Sequence, residues 1–309
     1  MNSDRNIKAP DHAAEAKGHP CLFFRIAGIV MEVKSDLPLT EITFHPKFKA
    51  FETDGPGEDT IHIRHHFASP PFPAGIAGRK VCEEPPWVIY EGDDRWVYMA
   101  VPEDPAPKPY YQMAVFSKDY SQADIYNPDP EIFIRGGLQS LSLFPTDQIF
   151  LAQVLAARQA CYMHASGVIL RNKGLLFLGH SEAGKSTMVK MLKGRAEILC
   201  DDRVIIRKWP DGFKIHGNWS HGEVPDVSPN SAELRAVFFL IKSNENLAVR
   251  VNSKKEIIKD LLDCLIKPYT PASWWERMLS LSGGIAAEIP FYKLYFDTSG
   301  KVIDLLDSV

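Results

Sequence analysis

The chain has 309 residues, 45% of them hydrophobic and 24% charged, with a formal net charge of −4. This is the composition of an ordinary folded globule long enough for two domains, and its slightly acidic balance offers no electrostatic footprint for nucleic acid or a membrane surface. The longest apolar runs, such as Ala236 to Ile241, are too short to span a bilayer, and five scattered cysteines without metal-ligand spacing predict buried free thiols in a cytoplasmic protein.

Residues 1–20 are polar and lack the apolar core of a signal peptide, which predicts a disordered tail. Cys21 to Val33 reads as a strand with Gly28 as a bend or bulge. Ile42 to Phe44 and Phe48 to Phe51 read as a further short strand or sheet edge, followed by a turn at Asp54-Gly55-Pro56-Gly57. Ile61 to Phe67 alternates as a half-buried strand does, with His62, Arg64 and His66 on one face and Ile61, Ile63 and His65 on the other. Three histidines so close together invite a metal. Arg64 between two of the candidate ligands argues against a cation site, so a solvated face is expected. Ser69 to Gly78 is a Pro/Gly-rich loop. Trp87 to Tyr90 and Arg95 to Met99 form a β-hairpin across Glu91-Gly92-Asp93-Asp94. Pro102 to Pro109 is another loop, and Tyr111 to Ser117 the next strand. Residues 21–140 thus read as a β-rich N-terminal domain, in which no residue cluster points to chemistry.

Pro145-Thr146-Asp147 opens a helix expected over Gln148 to Ala160, and the domain boundary is placed just before it, near Ser140. A strand through Tyr162-Met163-His164-Ala165-Ser166-Gly167 follows. Leu175 to Leu178 is a short apolar strand that leads into Gly179-His180-Ser181-Glu182-Ala183-Gly184-Lys185-Ser186-Thr187, which has the spacing of a Walker A phosphate loop. A chance match in a chain of this length is on the order of 1%. The strand before it and the helix expected from Thr187 to Lys193, stopped by Gly194, supply the required context. Gly179 and Gly184 allow close backbone approach, and the N–H groups of residues 179–187 and the helix N-terminus face phosphate oxygens. Lys185 should reach the β/γ-phosphates and Ser186 should ligate Mg²⁺.

Ala196 to Cys200 reads as a strand with Asp201 and Asp202 at its carboxyl end, where ligands bind in open α/β sheets. Two adjacent acids there can divide the work between magnesium and a nucleophile's proton. Val204 to Arg207 and Phe213 to Ile215 make a hairpin over Pro210-Asp211-Gly212. His216 to Glu223 is a Gly-rich loop of the kind that carries function. Arg235 to Ile241 is a core strand. Ser253 to Ile266 and Ser273 to Ser282 read as helices, with Trp274 and Trp275 packing.

The phosphate loop followed by Leu199-Cys200-Asp201-Asp202-Arg203-Val204 resembles the catalytic domain of HPr kinase/phosphorylase and its HprK-like relatives, whose nucleotide fold is shared with ATP-dependent phosphoenolpyruvate carboxykinase. Met163-His164-Ala165-Ser166 and Ile289-Pro290-Phe291-Tyr292-Lys293-Leu294-Tyr295-Phe296 add to the resemblance, which covers about residues 150–309. It implies an α/β fold, α+β overall, with an HprK-like nucleotide-binding domain over residues 141–309. It also implies ATP and Mg²⁺ as cofactors, and a hydroxyl of a protein, a peptide or a small molecule as phosphate acceptor. By position in the motif Asp202 takes the acceptor's proton, and His164 lies beside the γ-phosphate or Asp202. Lys185 acts on the phosphates, and Ser186, Asp201 and Glu223 are the magnesium candidates. Assembly of several copies is implied as well. The Arg-Gly-rich signature tied to phosphorolysis does not follow the acids, so kinase action is expected without it. The residues themselves leave three other readings open: a phosphate-loop NTPase or nucleotide-gated switch, a carboxykinase, and a binding module that uses nucleotide as a structural ligand.

Overall fold

A computed structural model describes residues 19–70, 78–84, 87–100, 112–142, 147–268 and 271–307. The tail expected before His19 and the loops expected at 71–77 and 102–109 lie outside the described residues, as do Pro145 and Thr146 of the expected helix start.

The front half is an eight-stranded sheet. Its strands are β1 (Leu22–Ile26), β2 (Ile29–Ser35), β3 (Thr60–His66), β4 (Arg79–Glu84), β5 (Trp87–Glu91), β6 (Arg95–Ala100), β7 (Met113–Ser117) and β8 (Gln122–Tyr126). They lie in the order β1-β2-β3-β8-β7-β6-β5-β4. β3 runs parallel to both neighbours, while the remaining pairs are antiparallel. The single strand expected from Cys21 to Val33 is two strands, because Ala27 and Gly28 both adopt positive φ (+48° and +80°) and reverse the chain in a tight hairpin. Phe48 to Phe51 is not a strand either. Pro46–Phe51 is a 3-10 helix, with Pro in its first turn and His45 Nδ1 accepting from the Lys47 N–H at its start, and it buries Phe48 and Phe51 together.

The alternation of β3 is as read: Ile61, Ile63 and His65 are buried, and His62 and Arg64 are exposed. The outer face is paired with acids rather than only solvated. His62 meets Glu32, and His66 lies between Asp36 (3.1 Å) and Asp124 (2.9 Å). Among the described residues no group of three or more His, Cys, Asp or Glu side chains is gathered as a metal site, and no helix is long and apolar enough to cross a membrane.

Behind β3, His65 is fully buried with Nε2 donating to the Leu141 carbonyl (2.8 Å), and burial lowers its pKa from 6.5 to about 4. An imidazole depressed on folding binds fewer protons in the folded chain. Its contribution to stability is therefore full above pH 6.5 and lost as pH falls toward 4. The loss is at most about 3 kcal/mol. Urea unfolding of wild type and His65→Asn across pH 4–7 should show a shallower acid slope in the variant; identical slopes would refute the buried-neutral assignment.

The second half begins with α1 (Glu131–Arg135) and α2 (Gln148–Ala156), followed by β9 (Ala160–Leu170), β10 (Lys173–Leu178), α3 (Lys185–Leu192), β11 (Glu197–Cys200), β12 (Arg203–Trp209) and β13 (Gly212–His216). Then come β14 (Ser231–Lys242), β15 (Leu247–Val251), α4 (Lys254–Asp263), α5 (Ala272–Glu288), β16 (Phe291–Phe296) and α6 (Val302–Asp307). The strands run β10-β9-β12-β13-β14-β16-β15, with β11 on β9. β10 also pairs with β14 in parallel, so the ladder β10-β9-β12-β13-β14 closes on itself. The architecture is a mixed α/β fold of two large sheets with few helices.

Local departures have tertiary causes. α2 ends at Ala156 rather than Ala160, because Gln159 turns through φ +52° and Ala160 pairs with Arg207 of β12. α5 continues past Ser282 to Glu288; Gly284 there lies under the Phe213 ring, which a Cβ would meet at 3.3 Å. Trp274 is buried, and its indole donates to the Ala152 carbonyl (3.3 Å), tying α5 to α2. A single apolar cluster holds Phe24, Phe48 and Ile63 of the front half together with Leu151, Tyr162 and Trp219, so the core continues across the boundary expected near Ser140.

Candidate functional site

β10 lies between β9 and β14, and its buried run Leu175 to Leu178 delivers the chain into the glycine loop at the strand's carboxyl end. A Cβ on Gly179 would come within 2.4 Å of the Ala183 Cβ. Gly184 holds φ +102° against the Phe296 ring, so both glycines are required by the loop's shape. Gly184 caps α3, whose free N–H groups face the loop. His180, Ser181 and Glu182 are exposed, and Glu182 is itself held at φ +66°. Ala183, Ser186 and Thr187 are half-buried. Lys185 is folded back onto the loop, donating to the carbonyls of Gly179 (2.8 Å) and His180 (3.2 Å). Burial lowers its pKa, with Asp202 and Asp201 opposing.

The two acids after β11 part ways. Asp201 is 1% exposed, and its carboxylate accepts from the Ser186 hydroxyl (3.3 Å) and the N–H groups of Gly222 (2.5 Å) and Val224 (2.8 Å). Its carbonyl accepts from Ser166 (2.6 Å). Among the described residues no Lys or Arg is within ion-pair distance of it. A buried carboxylate held only by neutral donors, beside a phosphate loop's serine, suits a divalent cation, because Mg²⁺ takes one or two carboxylates and completes its shell with phosphates and water.

Asp202 faces His164, with Oδ1 3.3 Å from Nε2, while Oδ2 meets the Arg203 guanidinium. Arg203 is held in turn by Gln148 at the start of α2. With the Gln148 amide turned, its oxygen accepts at 2.6 and 2.9 Å. The register of β9 on β12, which sets His164 opposite Arg203, creates this group. Burial lowers the His164 pKa, Lys185 and Arg203 add repulsion and Asp202 opposes.

Lys185, Ser186, Asp201, Asp202 and His164 are thus brought to one place. The Glu223 side chain is not. It is 71% exposed and its carboxylate pairs with Lys190 on α3 (2.8 Å), while the backbone on either side of it serves Asp201. Solvent screens an exposed pair of this kind, so it holds the side chain only weakly. Glu223→Gln should leave the magnesium dependence of nucleotide binding within about twofold of wild type; a larger shift in a metal titration would put Glu223 back among the ligands. Sequence reasoning missed Arg203, Gln148 and the donors Gly222 and Val224. The Gly-rich run 216–222 was the available signal for the last two.

No family model and no curated protein matches the chain. Among solved structures, the Hpr(Ser) kinase/phosphatase from Coxiella burnetii is similar to it over 48% of this chain and 91% of its own, at 13% identity and a TM-score of 0.28.

Proposed function

We propose that the chain is an ATP- and magnesium-dependent phosphotransferase of the HprK-like kind, which moves the γ-phosphoryl group to a hydroxyl of a protein, a peptide or a small molecule. The observation that carries this reading is the convergence of a cation-ready pair, Ser186 and Asp201, with a separate acid–imidazole pair, Asp202 and His164, at one phosphate loop. Phosphoryl transfer asks for positioning and charge neutralisation, and this arrangement offers both.

The loop N–H groups and the α3 N-terminus hold the phosphates. Lys185 turns from the loop carbonyls to the phosphate oxygens. Ser186 and Asp201 would hold the magnesium ion, which when bound neutralises charge on the phosphate oxygens. Asp202 accepts the proton of the attacking hydroxyl. His164 steadies the carboxylate from one side and Arg203 from the other.

The test is γ-labelled ATP with Mg²⁺, purified protein and a host-cell extract, run beside Lys185→Ala. Label on a specific protein, peptide or metabolite with wild type alone is the expected result. Label released only as inorganic phosphate would replace the kinase by an NTPase or switch.

A further inference from the structure

The loop that holds Asp201 is itself held from the front half. Trp219 is 0% exposed although it lies in an irregular segment, and it belongs to the core cluster of the front sheet. Its ring packs against Phe48 (5.2 Å between centroids) and edge-on against Phe51 (5.4 Å, 88°), the two side chains buried by the 3-10 helix. Its indole N–H donates to Asp147 Oδ2 (3.2 Å). Asp147 is fully buried and does not cap α2 as its position suggested. Its oxygens accept instead from the N–H groups of Leu141 (2.8 Å) and Ser142 (2.9 Å) and from the Ser142 hydroxyl (2.7 Å). The indole thus closes a buried polar cluster with an apolar wedge around it.

Either side of Trp219 the chain is fastened to the second half. The Asn218 amide meets the Tyr162 hydroxyl, and the Ser220 carbonyl accepts from the Cys200 thiol (2.6 Å). Directly beyond come Gly222 and Val224, whose N–H groups fix the Asp201 carboxylate. Gly222 lies close against both acids: a Cβ there would stand 3.2 Å from Asp201 Oδ2 and from the Asp202 Cβ.

We infer that Trp219 is a positioning residue for the magnesium site, through which the front half sets the orientation of Asp201. This rests on the phosphotransferase reading above. Among the described residues no side-chain cation holds Asp201; two backbone N–H groups and the Ser186 hydroxyl orient it, and the two N–H groups lie in a segment anchored by Trp219. Removing the ring loosens that segment without touching the glycine loop or Lys185. The effect therefore falls on metal, and not on phosphate contacts made by the loop.

The experiment titrates a fluorescent ATP analogue onto the full chain, with EDTA and across a magnesium series, for wild type, Trp219→Phe, Trp219→Ala and Phe48→Leu. Trp219→Ala should raise the magnesium concentration for half-maximal binding by about 10-fold, the low end of what loss of a group bonded directly to a metal ligand costs, because Trp219 acts through the segment that carries Gly222 and Val224. Affinity in EDTA should stay at the wild-type value. Trp219→Phe, which keeps the packing and loses the indole N–H, should recover part of the shift, and Phe48→Leu should show a smaller shift of the same sign. An unchanged magnesium requirement in the folded variants overturns the inference while leaving the phosphotransferase intact, as does a loss of affinity that is equal with and without magnesium. If Trp219→Ala does not fold, Trp219→Phe and Phe48→Leu decide the matter by the same shift. Wild type that binds no nucleotide under either condition overturns both this inference and the phosphotransferase reading.

Discussion

Asp202→Asn should bind nucleoside triphosphate as wild type does and transfer its phosphoryl group about 10²–10⁴-fold more slowly, the range for loss of a positioned general base. The change is isosteric, and the side-chain partners of Asp202 are His164 and Arg203 rather than Ser186 or the glycine loop, so the phosphate contacts stay in place. What disappears is the acceptor for the hydroxyl proton and the negative charge between His164 and Arg203. Single-turnover transfer with γ-labelled ATP separates the two effects. Transfer at the wild-type rate, in a preparation where the Lys185 variant is dead, would remove Asp202 from the role of base.

Lys185→Ala should weaken triphosphate binding about tenfold to a hundredfold, the scale of a charge-assisted hydrogen bond of about 1.5–3 kcal/mol. Transfer should fall further, by at least about 10²-fold, since charge builds on the leaving β-phosphate oxygens as the bond to the γ-phosphoryl group loosens, and a preorganised donor aimed there is lost. The folded-back contacts of Lys185 to Gly179 and His180 show the reach of the side chain across the loop. Lys185→Arg should not restore activity, because a planar fork cannot follow the same path through a loop this tight. Calorimetric binding and the transfer assay, read side by side, check the prediction; binding reduced with transfer unchanged would mean the lysine acts only in the ground state.

Elements whose causes are local were legible. α3 ends before Gly194 at φ +81°, as that glycine announced, and begins at Lys185, two residues ahead of the expected Thr187, because Gly184 at its cap takes a left-handed backbone. β3 alternates because one face is buried. The β12–β13 hairpin turns over Pro210 and Asp211 as read. Elements whose bounds depend on a distant partner were not. Phe48 and Phe51 are spaced for one helical turn, yet the apolar content of the stretch suggested a strand. The difference is made by Pro46, His45 and the Trp219 ring they pack against. Gln148 to Ala160 has no Gly or Pro to stop a helix, and the turn at Gln159 with the pairing of Ala160 to Arg207 divides helix from strand. β4, β8 and β15 are short and weakly patterned, and neighbouring strands make them what they are.

For the candidate site the division follows the same line. The amino-acid sequence by itself determined the glycine loop with Walker A spacing, the helix behind it and the presence of two acids at the end of the following strand. Glycine geometry, helix start and strand end are properties of a few consecutive residues. Only the tertiary structure decided that Asp201 and not Glu223 stands beside Ser186, that Asp202 meets His164 and Arg203, and that Trp219 is anchored in the front half. Each of these is a side-chain direction set by sheet register or by packing between segments far apart in the chain, and neither spacing nor composition encodes a direction.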